Sequence, residues 1–409
     1  MNAAETKAEM VRTFRAEMMV TQRWAYLNHA SVSPLPRSAR EAIRTFADGA
    51  AADGTVRWPE WNRTYESLRE LAAVQMDASV EEVARIRSTS EGISIIANGY
   101  PWRAGENVVL FEDEFPSNAY PWLNLEPRGV EVRCLPCPEL LEYTESAADA
   151  NDTAALERRG TLIERTLRER LLGAIDSKTR IVAMSHVGFR TGYRQNLDKI
   201  GEWVHARGAL FCVDAIQSLG TVPIHLQRTP VDFLVADGHK WLMGPEGIGV
   251  MMVRREHWEL IRPTNVGWAS VANCRDFDHF DRTWRPDAGR YENGSPNMLG
   301  ATGLYASWKL LAELGVDRIH QAILAITDYA VERLRSIGAA IHSVRSADHR
   351  SGIVVFSIPG RDPDFLTRRC EENGVVLTRR GRGLRISPHA YNTREEIDRL
   401  IQVLETSDE

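Results

Sequence analysis

The sequence predicts an α/β fold: a mostly parallel central sheet flanked by helices, with a smaller α+β C-terminal domain. Three observations lead there. Two short apolar runs, Ala209–Val213 and Val231–Ala236, lack polar alternation, as strands covered on both faces of a parallel sheet do. Other short strands, Val83–Arg87, Val108–Phe111 and Arg180–Met184, alternate with helical segments such as Leu197–Arg207. From Leu314 the pattern changes: a helix to about Ser336, strands near Ile353–Ser357 and Val375–Leu377, and a helix over Arg394–Leu404. The expected division is a large domain over 24–290 and a small one from 1–23 and 291–409.

The bulk properties exclude several classes. A chain of 409 residues is long enough for a large core and two domains. The net charge is −6 with the charges interspersed, so no basic block offers itself to nucleic acid or to an anionic membrane. No apolar run approaches a bilayer-spanning length. The N-terminal MNAAETKAEM has no apolar signal core, and a cytoplasmic protein is expected. Five cysteines, an odd number, argue against a disulfide framework. Cys134 and Cys137 have CxxC spacing, but no second pair stands at metal-binding distance. Thr144–Arg159 is polar and Ala/Asp-rich and reads as a surface insertion.

Along the chain, Ala4–Arg23 reads as an amphipathic helix that a Pro-rich turn ends before the helix Arg37–Ala47. An aromatic loop with Arg57, Trp58 and Trp61 precedes the helix Glu60–Gln75 and reads as interface packing. Ser88-Thr89-Ser90-Glu91-Gly92 leads into an apolar helix, Ile93–Ala97. Hydroxyls and free N–H groups at the positive end of a helix dipole suit an anion, though a plain N-cap has the same composition. Gly244-Pro-Glu-Gly-Ile-Gly249 has the look of a nucleotide loop, but it precedes a strand, Ile248–Val253. The dinucleotide fingerprint requires a helix there, so it is rejected.

The chemistry concentrates at two strand ends: Asp214, and Asp237-Gly238-His239-Lys240. Ligands of open α/β sheets sit at the carboxyl ends of strands, so this aspartate and lysine are expected in one crevice. A lysine amine forms a Schiff base with an aldehyde cofactor. A buried aspartate keeps a pyridine nitrogen protonated, which makes the ring an electron sink. Pyridoxal phosphate needs both. Gln217, three residues after Asp214, is within reach of the ring hydroxyl. Asp237 and His239 lack a third ligand nearby, so no metal is expected.

VDAIQSLG followed by DGHKWLMGPEGIG resembles the class V aminotransferase family. This is the fold type I pyridoxal phosphate group that includes cysteine desulfurases, kynureninase and isopenicillin N epimerase-like proteins. The resemblance runs from Tyr26 to about Leu404. It implies catalytic roles for Lys240 and Asp214. It implies a cofactor site of Thr89, Ser90, Phe115, Asp214, Gln217, His239 and Lys240. Arg290-Tyr-Glu-Asn-Gly-Ser-Pro-Asn297 is similar to the family's RFEAGTPN segment, and puts Ser295 on the cofactor phosphate of a second subunit; a homodimer follows. Arg385 is implied as the α-carboxylate receptor, a guanidinium fork matching a carboxylate with two parallel bonds. Asn28 and His29, in a YLN-x-A segment near the active-site mouth, are implied substrate contacts; a capped turn with a structural histidine fits the same segment equally well.

The departures matter as well. Phe115 stands where relatives carry a ring-stacking histidine; it can stack but cannot exchange protons. Phe189 lies near a family asparagine that touches the ring oxygen. Asp237 replaces a phosphate-binding serine and would repel a phosphate unless it points away. Desulfurases attack substrate sulfur with a loop cysteine shortly before the arginine. Here Thr378-Arg-Arg-Gly-Arg-Gly383 has none, and Cys370 lies earlier, in a helix. Arg379, Arg380 and Arg382 would suit a second anionic group on the substrate, and Arg190 a substrate carboxylate; a solvated loop has the same composition. The expected activity is a reaction at Cα of a small-molecule amino acid substrate, with an aminotransferase first. A β-eliminating C–S lyase or an epimerase is the alternative, and a non-catalytic binding protein comes last.

Overall fold

The computed structural model describes residues 3–137, 153–381 and 383–406, with the backbone alone over 3–8 and 153–156. Most of the expected insertion at 144–159, and Arg382, lie outside the described residues.

After an N-terminal helix, Ala3–Glu17, the strand β1 (Ala25–Tyr26) runs toward the C-terminal part of the chain. The next strands are β2 (Val83–Ile86), β3 (Asn107–Phe111), β4 (Glu131–Leu135), β5 (Thr179–Ser185), β6 (Leu210–Asp214), β7 (Phe233–Asp237) and β8 (Gly249–Val253). Among the described residues they form one sheet in the order β2-β8-β7-β6-β5-β3-β4. The β7-β6-β5-β3-β4 portion is parallel; β8 is antiparallel to both of its neighbours. The two-sided burial expected from the apolar runs is visible residue by residue. Phe211 and Val213 of β6, with Leu234 and Ala236 of β7, join one hydrophobic cluster; Cys212, Phe233 and Val235 join another. Successive side chains leave a strand on opposite faces, so each run feeds both layers of helices.

The chain then forms β9 (Ala340–Ile341), β10 (Val354–Ser357), β11 (Val375–Val376), β12 (Thr378–Arg380) and β13 (Gly383–Ile386). β12-β13-β10-β9 is antiparallel. β11 pairs in parallel with β1, and an isolated bridge joins Asn28 to Ser387. The segment after β1 is thereby laid beside β13.

A helix, Met298–Leu314, precedes the one expected from about Leu314 to Ser336, which is Val316–Ser336; Gly315 separates the two. Gly315 has φ +88°, a left-handed conformation that glycine adopts without steric cost. The first of the two packs on the helices Arg37–Asp53 and Trp58–Met76. Among the described residues no helix is long and apolar enough to cross a membrane, and no group of three His, Cys, Asp or Glu side chains is placed to hold a metal.

Candidate active site

A cavity of about 350 Å³ opens at the carboxyl ends of the parallel strands. Asp214 is the last residue of β6, and Lys240 follows the end of β7 by three residues. The lysine sits in a turn with little freedom. Met243 N–H donates to Lys240 O (2.9 Å) and Gly244 N–H to Gly238 O (2.9 Å). Met243 is buried at φ +57°, unusual for a side-chain-bearing residue and sustained only by such closure. Both glycines press on Leu304: a Cβ at Gly238 or Gly244 would lie 2.7 or 2.6 Å from its Cδ1. A bulkier residue at either position would have to push Leu304 aside or shift the turn that carries the lysine.

Eight of the expected site residues line this one cavity: Thr89, Ser90, Phe115, Asp214, Gln217, His239, Lys240 and Arg385. They come from segments far apart in sequence.

The electrostatics are those of a strained polar pocket. Burial pushes the Lys240 ammonium down to about 8; Asp214 works against this and Arg385 with it. No hydrogen bond or ion pair to the Lys240 amine occurs among the described residues. Its Nζ lies 5.2 Å from the Phe115 ring centroid, and that ring meets Phe189 edge-on at 5.2 Å. Burial pushes Asp214 up to about 6, restrained by the Ile216 N–H on its Oδ1 (2.9 Å) and by Lys240. A buried amine and a buried carboxyl, each displaced toward its neutral form in one cleft, mark a candidate site for proton chemistry.

Opposite them is a hydroxyl-rich helix start. Ser88 caps the helix Thr89–Gly99 by accepting from Glu91 N–H (3.2 Å). Thr89 Oγ1 accepts from Asp237 N–H (3.1 Å), and Ser90 Oγ donates to Ser117 Oγ (2.8 Å). Asp237 lines the cavity, but its Oδ1 accepts from Gly238 N–H (2.7 Å) and lies 3.2 Å from His239 Nδ1. That carboxylate is therefore engaged within its own turn. The Gln217 Oε1 accepts from Trp241 Nε1 (2.9 Å), and its Nε2 donates to Ala30 O (3.0 Å), which leaves one amide N–H for a ligand.

Arg385, on β13, is buried with no ion pair among the described residues. One terminal nitrogen donates to Phe189 O (3.0 Å), the other to Ser31 Oγ (2.7 Å). Its Nε is buried without a partner, and burial together with Arg380 pushes the guanidinium down to about 9. Ser31 in turn donates to Asn28 Oδ1 (2.9 Å). Sequence reasoning missed Ser31, although it stands three residues beyond Asn28 in the segment already singled out.

Three expected site residues are not in the cavity. His29 is fully buried, its Nδ1 2.9 Å from Ser387 O and its Nε2 2.9 Å from the Tyr391 hydroxyl; burial pushes it down to about 4. The strand pairing of β1 draws this residue under the cavity floor, so it braces the fold there. Asn28 acts at one remove, behind Ser31. Ser295 is exposed on a loop and borders a separate depression with Arg87 and Asn293. A further residue emerges from the structure alone. Glu114 accepts from Ser185 N–H (2.7 Å), from the Ser185 hydroxyl and from Asn118 Nδ2 (2.9 Å). It ties the loop bearing Phe115 to the end of β5, and burial pushes it up to about 8.

None of the five cysteines lines the cavity. Cys370 is buried in the helix Pro363–Glu372, and burial pushes its thiol up to about 12.

The aminotransferase class-V family model matches residues 25–156 and 155–400. The chain belongs to that family. Among its relatives is a probable cysteine desulfurase of Pyrococcus abyssi, 27% identical over 413 residues and covering 96% of each chain. Two solved structures share the fold. One is a variant of C-DES with glycine covalently linked to the PLP cofactor (21% identity, TM-score 0.82, 93% of this chain and 96% of that one). The other is the cystine C–S lyase C-DES with its reaction product cysteine persulfide (22% identity, TM-score 0.81, 93% and 97%). The family member's α/β architecture is thus the one expected. The names of these relatives point to C–S chemistry rather than to amino transfer.

Proposed function

We propose that this class-V family member is a pyridoxal phosphate enzyme that cleaves a C–S bond in an amino acid by β-elimination. The observation that carries the reading is a pair of buried cations, Lys240 and Arg385, lining one cavity without a carboxylate bonded to either.

The residues present fit the cofactor. A cavity of about 350 Å³ suits a small aromatic ligand. An amine without a hydrogen-bond partner, a buried carboxylate, an aromatic face and a hydroxyl-lined helix start supply the four contacts it needs. Lys240, Asp214, Phe115 and Gln217 would hold its ring, and Thr89, Ser90 and His239 its phosphate. Ser295, exposed and outside its own cavity, would serve the phosphate of a second subunit in a homodimer. The large and small domains would meet at this cavity, since Arg380 and Arg385 of the small one line it together with residues of the large one.

Bound there, the cofactor would supply an electrophilic carbon for the lysine amine and an electron sink for the bond broken at Cα. The chain's own groups do the rest. Arg385 binds the α-carboxylate, with Phe189 O and Ser31 holding the guanidinium plane. Lys240, tuned to about 8, takes the Cα proton and then delivers a proton to the departing sulfur. Asp214 would keep a proton on the ring nitrogen, and Phe115 would cover the ring without exchanging protons. With no cysteine at the cavity to receive sulfur, the thiol leaves with its own substituent. The balance is an S-substituted cysteine plus water giving pyruvate, ammonia and the thiol. Transamination is the second reading, favoured by the description of the matching family model.

The test is the visible spectrum of purified protein supplied with pyridoxal phosphate, followed by product analysis with S-substituted cysteines. Pyruvate, ammonia and thiol support the lyase. A 2-oxo acid retaining the side chain, with an aminated cofactor, points to transamination. A colourless protein removes the cofactor and the reading with it.

A further inference from the structure

Two more cations, beyond Arg385, gather on Phe189, a residue that lines the cavity. Arg380, on β12, is half-buried and lines the cavity; its Nε is buried without a partner. Arg190 is exposed on the loop after β5. The two guanidinium carbons lie 6.0 and 5.5 Å from the centroid of the same Phe189 ring. Neither forms an ion pair among the described residues. Among the described residues the Arg380 guanidinium makes one hydrogen bond, from a terminal nitrogen to Arg379 O at 3.3 Å. Their neighbours behave differently: Arg379 is paired with Asp364 at 2.6 Å and points its charge into that bridge.

Like charges gathered around one ring without counter-ions raise one another's free energy. Arg190 and burial both push Arg380 below its ordinary value, and Arg380 does the same to Arg385. The carboxyl that feels Arg190 is Asp113, which is buried and also associates with the Cys137 thiol. The cluster around Phe189 therefore carries positive charge in excess of what one α-carboxylate neutralises.

We propose that Arg380 and Arg190 form a subsite for a second acid group at the far end of the substrate, so that the preferred amino acid is anionic at both ends. This rests on the α-carboxylate role proposed for Arg385. Phe189 is the hinge of the arrangement. Its carbonyl holds Arg385 and its ring holds the outer pair, which places the two acid-binding positions on either side of one residue. The two arginines are positioned as specificity residues; Lys240 and Asp214 carry the chemistry whatever the side chain.

The experiment compares S-carboxymethyl-cysteine with its neutral isostere, the S-carbamoylmethyl amide. With the protein loaded with pyridoxal phosphate, wild-type kcat/KM is expected to favour the acid by at least about tenfold, the scale of one charge-assisted hydrogen bond. Arg380→Ala should bring the two substrates close to equal by raising KM for the acid alone. Arg190→Ala, at an exposed position where folding is not at risk, should move the ratio the same way, and Arg380→Lys should keep part of the preference. Binding without turnover provides a second readout: calorimetry on the Lys240→Ala protein should show the acid binding more tightly than the amide, and the Arg380→Ala/Lys240→Ala protein should not. Equal handling of acid and amide by the wild type, with cofactor bound and pyruvate released, overturns the subsite and leaves the proposed function intact. Failure to capture the cofactor overturns both.

Discussion

Arg85 and Arg385 are both arginines buried on strands, and they do opposite work. Arg85 gives two nitrogens to Glu292 (2.9 and 2.8 Å) and a third to Tyr65 O (2.6 Å), and it lies 3.5 Å from the centre of the Tyr65 ring. Burial acts to push it down, yet Glu292, Tyr65 and Glu66 outweigh burial and hold it above its ordinary value. Arg385 has only a carbonyl and a hydroxyl, and burial wins. A desolvated guanidinium with a carboxylate is a fold element. One without fits the receptor role proposed for Arg385, whose missing partner would arrive with the ligand. The same contrast separates Lys240 from the paired surface lysine Lys199, bonded to Glu164 at 2.6 Å.

Breaking this contrast should give effects of decreasing size. Lys240→Ala is expected to lower turnover by about 10³-fold or more, the range for loss of a positioned acid–base group. The absorption band of the lysine Schiff base should also vanish; a variant that keeps that band and its activity would sink the proposed chemistry. Arg85→Met should act on stability instead. Leaving Glu292 buried and unpaired costs about 3–5 kcal/mol, read as a fall in the denaturant midpoint.

Lys240→Met tests the strain directly, in protein without cofactor. The folded chain holds this lysine at about 8 against 10.5 unfolded, so below pH 8 the buried ammonium opposes folding. Its removal should stabilise by on the order of 3 kcal/mol below pH 8. The gain should fade as pH rises from 8 to 10.5, where the wild-type lysine is neutral in both states. A variant less stable at pH 7 and unchanged by pH would contradict the assignment.

Arg385→Gln is expected to raise KM for the amino acid about 30- to 100-fold, as loss of a charged hydrogen-bond pair does. It should leave the melting temperature unchanged or higher, the reverse of Arg85→Met. The smallest effect is kinetic. Because the neutral amine is the reactive form, capture of added pyridoxal phosphate should slow about tenfold per pH unit below 8. A rate flat from pH 6 to 8 would show that Lys240 is not so displaced.

Much of this was legible in the residues. The apolar runs at 209–213 and 231–236 announced strands buried on both faces, because such strands cannot afford polar alternation. Asp214 and Lys240 followed from the rule that ligands gather at the carboxyl ends of parallel strands. The change of pattern near Leu314 marked the start of the helix Val316–Ser336, but the left-handed backbone of Gly315 that turns the chain there shows only in the geometry.

What local sequence dictated here was the chemistry on offer: a lysine, an aspartate, a hydroxyl-rich helix start and an arginine, each at the end of a predictable element. Which of them meet was a matter of tertiary pairing. The β1–β11 contact spans most of the chain and carries no local signal. It sends His29 beneath the cavity to brace Ser387 and Tyr391, and brings Ser31 onto Arg385. Whether a buried charge finds a counter-ion likewise depends on residues hundreds of positions away, such as Glu292 for Arg85. That long-range pairing is what separates a structural arginine from the one proposed to bind substrate.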